Sequence, residues 1–295
     1  MTRKLALVGA GAMGGAIGTR LLETGNQLAV FDLDPDKVAA LVEKGATAAA
    51  SAAEAASGAA ATITSLNASK IVGLAAFGKD GIAEGADTGA LIIDMSSIDP
   101  EATRKFANMA DEQGLGWVDS PLSGGAPKAL IGELTLMLGG ASDHVDRAMA
   151  ILSDVAANMT HMGGPGAGQT TKMINQVLCG LGFLAVAEAT QLALDAGVDA
   201  TKIPVALKGG RADSALLQEY MPRFATKDYR RTGRIDNMVK DLNMVNDLVR
   251  RTGTSMPMTA LCTEIHRMLT AAGLGGEDQA AVMEFFSGAK QETSE

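Results

Sequence analysis

The chain has 295 residues, 47% apolar and 20% charged, a balance that supports a buried core and has length enough for two domains. Its 25 basic and 34 acidic residues give a net charge of −9, with one Trp, two Tyr and seven Phe. An acidic chain so poor in aromatics argues against nucleic-acid and anionic-membrane binding.

In chain order, short apolar runs alternate with helical stretches from residue 4 to about 162. Leu5 to Val8, Gln27 to Phe31, Ala61 to Ser65, Ala90 to Met95, Trp117 to Asp119 and Leu134 to Leu138 read as buried strands. Ala12 to Glu23, Pro35 to Glu43, Pro100 to Gln113 and Ser142 to Ser153 read as helices between them, and Asn158 to Met162 can add a last strand. Continuous apolar strands alternating with helices predict a largely parallel, doubly wound sheet.

Gly163-Gly-Pro-Gly166 breaks this pattern, and no strand is expected beyond it. Gln169 to Ala196 is helical throughout, with Gly197 as its stop. Further helices are expected over Lys202 to Leu207, Ala215 to Phe224, Asn237 to Arg251, Pro257 to Ala272 and Asp278 to Ser287. The domains are therefore placed at 1–163 (α/β, doubly wound) and 164–295 (all-α). The stretch Ile174 to Ala187 is apolar almost all round, as in an element buried between domains or between subunits, so a homo-oligomer is expected.

Arg3-Lys4 and the apolar run after it have the outline of a leader, but the glycines from Gly9 to Gly18 are poor in a membrane-inserting helix. The uncharged run Met173 to Ala187 is short of the ~20 residues a bilayer span needs. Cys179 and Cys262 lie far apart in apolar surroundings and read as buried thiols of a reducing compartment. A soluble cytoplasmic protein is expected. The histidines form no metal-ligand pair; His144 and His266 read as surface residues, and His161 has no evident partner. The charged run from Arg223 to Arg234 reads as a solvated or inter-subunit surface.

Three motifs carry chemistry. Gly9-Ala10-Gly11-Ala12-Met13-Gly14 follows a strand and opens a helix, as a dinucleotide-binding turn requires. Gly9 makes the turn, Gly11 admits the pyrophosphate, Gly14 lets helix and strand pack, and the helix N-terminus faces the phosphates. Asp32 ends the next strand, 18 residues past Gly14, where a carboxylate can accept from the adenosine ribose hydroxyls. Asp34 and Asp36 are near and no arginine is in the turn, so a 2′-phosphate would be repelled and NAD is the expected cofactor.

The second motif, Asp119-Ser-Pro-Leu-Ser-Gly-Gly125, ends a strand; Ser123 with the Gly124 and Gly125 amides can hold a carboxylate, although a plain turn reads equally well. In the third, Gly166-Ala-Gly-Gln-Thr-Thr-Lys172-Met-Ile-Asn175, a lysine enters an otherwise apolar helix with Asn175 three residues on. Buried, it would titrate nearer neutrality and serve as a proton donor or acceptor; snorkelling to water is the bland alternative.

Together with Asp94-Met-Ser-Ser97-Ile and the segment from Arg234 to Leu242, these motifs resemble the β-hydroxyacid dehydrogenase family from about Lys4 to Phe286. The resemblance implies a Rossmann-type domain, a helical C-terminal domain and Lys172 as the catalytic acid/base. It further implies that Asn175, Ser123, Gly124 and Gly125 bind substrate, and that Leu66, Asn67, Ser97 and Lys240 line the cofactor and the reacting centre. Gly-Ala-Pro-Lys-Ala129 and Gly273-Leu-Gly-Gly-Glu-Asp278 look most like tartronate semialdehyde reductases, which convert 2-hydroxy-3-oxopropionate to glycerate. 3-Hydroxyisobutyrate and threonate-like dehydrogenases are the alternatives. Asn67 stands where proline is usual, Leu122 where valine is, and the phenylalanine before Arg234 is missing. The implied partner is a small hydroxy acid or semialdehyde, and the implied assembly a dimer or tetramer. A non-catalytic NAD-binding sensor is the rival from another class, against which the joint presence of Lys172, Asn175 and the Ser-Gly-Gly loop speaks.

Overall fold

The computed structural model describes residues 3–287. Nine strands form one sheet: β1 (Lys4–Val8), β2 (Gln27–Phe31), β3 (Thr47–Ala48), β4 (Ala61–Thr64), β5 (Leu91–Asp94), β6 (Gly116–Asp119), β7 (Leu122–Ser123), β8 (Leu134–Gly140) and β9 (Ala156–Gly163). Their order is β3-β2-β1-β4-β5-β6-β8-β7, with β9 also paired to β8. The six strands from β3 to β6 are mutually parallel, β8 runs antiparallel to β6 and β7, and β9 is parallel to β8. This is the doubly wound order, with its switch point between β1 and β4, where ligands of such sheets bind.

The helices of this part are α1 (Ala12–Glu23), α2 (Pro35–Val42), α3 (Ala52–Ala56), α4 (Ser69–Phe77), α5 (Ile82–Gly85), α6 (Pro100–Glu112), α7 (Gly125–Leu130) and α8 (Ser142–Leu152). They cover both faces, which is why the inner strands β1, β4, β5 and β6 are buried at almost every position, with polar residues such as Thr64, Asp94 and Asp119 at their C-terminal ends. Leu5 and Leu7 of β1 join Leu91 and Ile93 of β5 in one core, while Val8 and Ile92 point into the other with Trp117 and Ile98. Local chemistry marks the starts: Asp99 caps α6 by accepting from the Glu101 and Ala102 amides, with Pro100 in the first turn. The Ala-rich stretch 46–61, where no regular element was expected, forms β3 and α3. The Gly125–Leu130 segment is a helix packed against α1 rather than a plain turn.

Backbone contacts divide the chain between Lys172 and Met173, inside the long helix α9 (Ala167–Asp195). The second unit holds the rest of α9, α10 (Ile203–Leu207), α11 (Ala215–Thr226), α12 (Ile235–Thr252), α13 (Pro257–Leu269) and α14 (Met283–Phe286), plus short 3₁₀ and π turns. Its core gathers Phe183, Ala187, Tyr220, Phe224, Leu242 and Ile265. A single bridge, Arg234 to Asp278, is the β pairing found among its described residues. At 29 residues α9 is long and apolar enough by length and composition to cross a bilayer, which the uncharged run alone did not suggest. Gln169, Lys172, Asn175, Gln176 and Glu188 interrupt it, and its first turn is hydrogen-bonded into the sheet unit.

Two readings of single residues change. His266 is fully buried, its imidazole bonded to the Cys262 carbonyl and the Gln279 side-chain oxygen, and burial lowers its pKa. The charged face expected for it belongs to its sequence neighbours Glu264 and Arg267, which are exposed. Arg223, at one end of the charged run read as solvated, is also buried, against Asp278 at 2.9 Å.

Candidate functional site

The β1–α1 turn has the shape the glycines predict. Gly9 sits at φ +95°, and a Cβ there would lie 2.5 Å from the Ser65 carbonyl oxygen and 2.8 Å from Leu66. A Cβ on Gly14 would lie 1.9 Å from the Gly9 carbonyl oxygen, so helix and turn close on each other only without it. Gly11 differs: a Cβ there meets nothing within 4 Å. Gly11 is the N-cap of α1, no side chain caps that end, and no acid lies in its first turn. The amides of Gly11, Ala12 and Met13 thus border an open, uncapped helix start, which fits a pyrophosphate. Beside it a groove runs between α1, α2 and α7, lined by Ala12, Thr19, Lys37 and Lys44 among others.

Asp32 is half-buried and does more than wait for a ribose. Its Oδ2 accepts from the Ala10 amide at 2.7 Å and its Oδ1 from the Asp34 amide at 2.9 Å. The nearest cation on α2, Lys37, is ion-paired with Asp34 at 3.0 Å.

At the adjoining strand ends, Thr64, Asp94 and Asp119 stand in register on β4, β5 and β6, and Gly139 of β8 faces Asp119. The Leu66 amide donates to Ser96 Oγ, and the Ser96 amide to Asp94 Oδ1. Leu66 and Ser97 are half-buried and Asn67 is exposed at this edge. Ser123, on β7, is half-buried and leads into α7 through Gly124 at φ +123° and Gly125 at φ +70°. Because α7 packs on α1, the carboxylate-binding candidates lie in the same unit and on the same side as the dinucleotide turn.

Asp119 was quoted in the sequence motif without a role; in the structure it organises the start of α9. Its Oδ1 accepts from the Gly166 amide at 2.8 Å and its Oδ2 from the Gln169 amide at 2.9 Å. Burial pushes its carboxyl up to about 6, the two amides working against that and the Asp94 charge adding to it. Asp94 is likewise pushed up to about 6 by burial, opposed by bonds from Ser96 and Thr64. Gln169, also quoted without a role, accepts from the Ile98 amide at 3.1 Å and donates to the Ser96 carbonyl at 2.8 Å. Lys172 follows one turn later and is half-buried, so within this unit its burial is partial.

Asn175 and Lys240 fall in the second unit. Gln176, beside Asn175, donates to Asp241 Oδ2 at 2.6 Å, and Lys240 Nζ lies 3.1 Å from Asp241 Oδ1. Asn175 itself donates to Gln176 Oε1 at 2.9 Å. No cluster of three potential metal ligands occurs among the described residues.

Two family models cover the chain: the NAD binding domain of 6-phosphogluconate dehydrogenase over residues 4–164, and the NAD-binding domain of NADP-dependent 3-hydroxyisobutyrate dehydrogenase over 166–286. The L-threonate dehydrogenase of Cupriavidus necator is 32% identical over 98% of this chain and 97% of its own. The 2-hydroxy-3-oxopropionate reductase of Escherichia coli is 31% identical over 95% and 96%. A solved structure of Mycobacterium tuberculosis 3-hydroxyisobutyrate dehydrogenase with L-serine superposes with a TM-score of 0.87 at 27% identity, covering 97% of this chain and 99% of that one. End to end, then, in both sequence and fold, the chain belongs to the β-hydroxyacid dehydrogenase family of NAD(P)-dependent oxidoreductases.

Proposed function

We propose that the protein is an NAD-preferring reductase of a small semialdehyde, of the kind that turns 2-hydroxy-3-oxopropionate into glycerate, with Lys172 as its acid/base. The observation that carries this reading is the anchoring of the Lys172 helix at the ends of β5 and β6, beside the strand ends that carry the dinucleotide turn. When bound, the dinucleotide supplies or accepts the hydride. In reduction the Lys172 ammonium protonates the developing alkoxide; in oxidation the neutral amine takes the hydroxyl proton. Ser123 and the Gly124 and Gly125 amides hold the substrate carboxylate, Asn175 orients the substrate, and Leu66, Asn67, Ser97 and Lys240 line the cofactor.

The preference for NAD rests on Asp32, whose charge would face a 2′-phosphate, and on the pairing of Lys37 with Asp34. Threonate or 3-hydroxyisobutyrate oxidation is the second reading, and the near-equal identities to relatives of different substrate favour it about as much. A cytoplasmic homo-oligomer completes the proposal: Ile174, Leu178 and Leu192 on α9 are 57%, 66% and 70% exposed in the single chain, an apolar stripe suited to a second subunit.

The test is turnover of NADH or NAD with tartronate semialdehyde, glycerate, 3-hydroxyisobutyrate and threonate, run beside Lys172→Ala and Lys172→Arg. Both variants are expected to lose kcat by ~10²–10⁴-fold while NADH affinity stays near wild type. If Lys172→Ala keeps more than a tenth of kcat with chemistry rate-limiting, the acid/base assignment is wrong. Light scattering showing a monomer at micromolar concentration would remove the oligomer.

A further inference from the structure

Three contacts meet at residue 169. The Gln169 amide N–H is held by Asp119 Oδ2, and its side-chain amide spans the Ser96 carbonyl and the Ile98 N–H. Those two groups flank Ser97, so one side chain holds the backbone on both sides of that residue. Gln169 is 1% exposed and Asp119 fully buried, so neither contact competes with water.

The fit around the carboxylate is tight. A Cβ on Gly139 would lie 2.6 and 2.8 Å from the two Asp119 carboxylate oxygens, and one on Gly168 would lie 2.8 Å from Oδ2 and 2.3 Å from the Met137 carbonyl oxygen. The first turn of α9 is therefore seated against β6 and β8 with no space to slide. A serine or asparagine cap would meet the helix start at lower cost than a buried carboxylate, which has no cation as a hydrogen-bond partner among the described residues. What the carboxylate adds is two charge-assisted bonds to amides three residues apart, which fix both the position of the helix and its rotation about its axis.

We propose that Asp119 and Gln169 are positioning residues: the carboxylate fixes the start of α9, and the Gln169 amide fixes the β5 loop against it, so that Lys172 and Ser97 keep one spacing. This rests on Lys172 as the acid/base. Displacing a reacting group by about 1 Å can cost on the order of a hundredfold in rate. Loosening the joint therefore reduces kcat through Lys172, while the β1–α1 turn, which the joint does not touch, keeps the main hold on the cofactor.

The test is a double-mutant cycle between Gln169→Met and Lys172→Ala, with Asp119→Asn as the second probe should the methionine variant fold poorly. Single-turnover NADH oxidation with enzyme in excess gives the chemical rate, and NADH titration gives affinity. Gln169→Met alone is expected to slow chemistry between about tenfold and a hundredfold, with NADH affinity within about twofold of wild type. In the Lys172→Ala background the same substitution is expected to change the rate less than about twofold, because there is no acid/base left to misplace. A repeated full loss in that background, or no loss in the wild-type background, overturns the positioning role while leaving the Lys172 assignment intact. An active Lys172→Ala single variant overturns both, and that arm alone tells the two failures apart.

Discussion

Asp119 in the sheet unit and Asp278 in the helical unit are both fully buried carboxylates that join separate segments, and the two are satisfied in opposite ways. Asp119, in the sheet unit, is met by the amides of Gly166 and Gln169. Asp278, in the helical unit, is met by the Arg223 guanidinium at 2.9 Å, by the Thr232, Gly233 and Ala280 amides, and by the Thr232 hydroxyl. Arg223 is in turn stacked over the Tyr220 ring at 4.7 Å. Dipoles alone leave the desolvation of Asp119 partly uncompensated, which is why its carboxyl is pushed up to about 6. A full counter-charge makes Asp278 half of an ion pair, and the cost of disturbing it then falls on whichever partner remains. The first arrangement sets geometry; the second ties the 228–236 segment to the start of the next helical turn.

The largest effect is expected where a charge would be stranded. Arg223→Met leaves Asp278 buried without its cation, and removing one partner of such a pair typically costs about 3–5 kcal/mol. Urea unfolding should report that loss. If the variant loses less than Asp119→Asn does, the distinction between the two carboxylates fails.

A medium effect is expected at Asp94, whose Oδ2 is buried with no hydrogen-bond partner among the described residues. Its carboxyl titrates near 6 when folded and near 3.8 when unfolded, so the folded state holds the extra proton between those values. That contribution to stability is complete below about pH 4 and gone above about pH 6. Asp94→Asn abolishes the dependence. The variant's Tm relative to wild type should therefore rise between pH 4.5 and pH 7.5, by the equivalent of about 1–3 kcal/mol. A difference that stays constant across that range would show that burial does not govern this carboxylate.

The smallest effect is expected at Asp32, a half-buried acid that, like Asp119, is held by amides. Asp32→Asn should narrow the ratio of kcat/KM for NAD over NADP by roughly tenfold, about 1.4 kcal/mol, since one like charge leaves the neighbourhood of a 2′-phosphate. An unchanged ratio would assign Asp32 to holding the turn alone.

The parts of the sheet unit that follow from local rules were legible in the sequence. The glycine turn, Asp32 and the strands buried on both faces announce themselves by spacing and by unbroken apolar runs. Strand direction did not: Leu134 to Leu138 reads the same whether β8 runs parallel or antiparallel. The roles of Asp119 and Gln169 were hidden because their partners are backbone N–H and C=O groups, 47 and 50 residues away for Asp119 and 71 and 73 for Gln169. No side-chain pattern records such partners. The burial of His266 was missed because Glu264 and Arg267, which surround it in sequence, lie on the other side of α13 from the core. Lys172 drew notice as a charge out of place in an apolar helix, and the motifs around it gave it a role.

Gly11 and Gly14 lend themselves to a different kind of experiment. A scan that selects only for folded protein should reject alanine at Gly14, where the added carbon runs into the Gly9 carbonyl, and accept it at Gly11, where it meets empty space. A scan that selects for turnover should reject both. Positions that pass the first screen and fail the second would together trace the surface of whatever the enzyme holds, an outline of the bound molecules obtained from genetics alone.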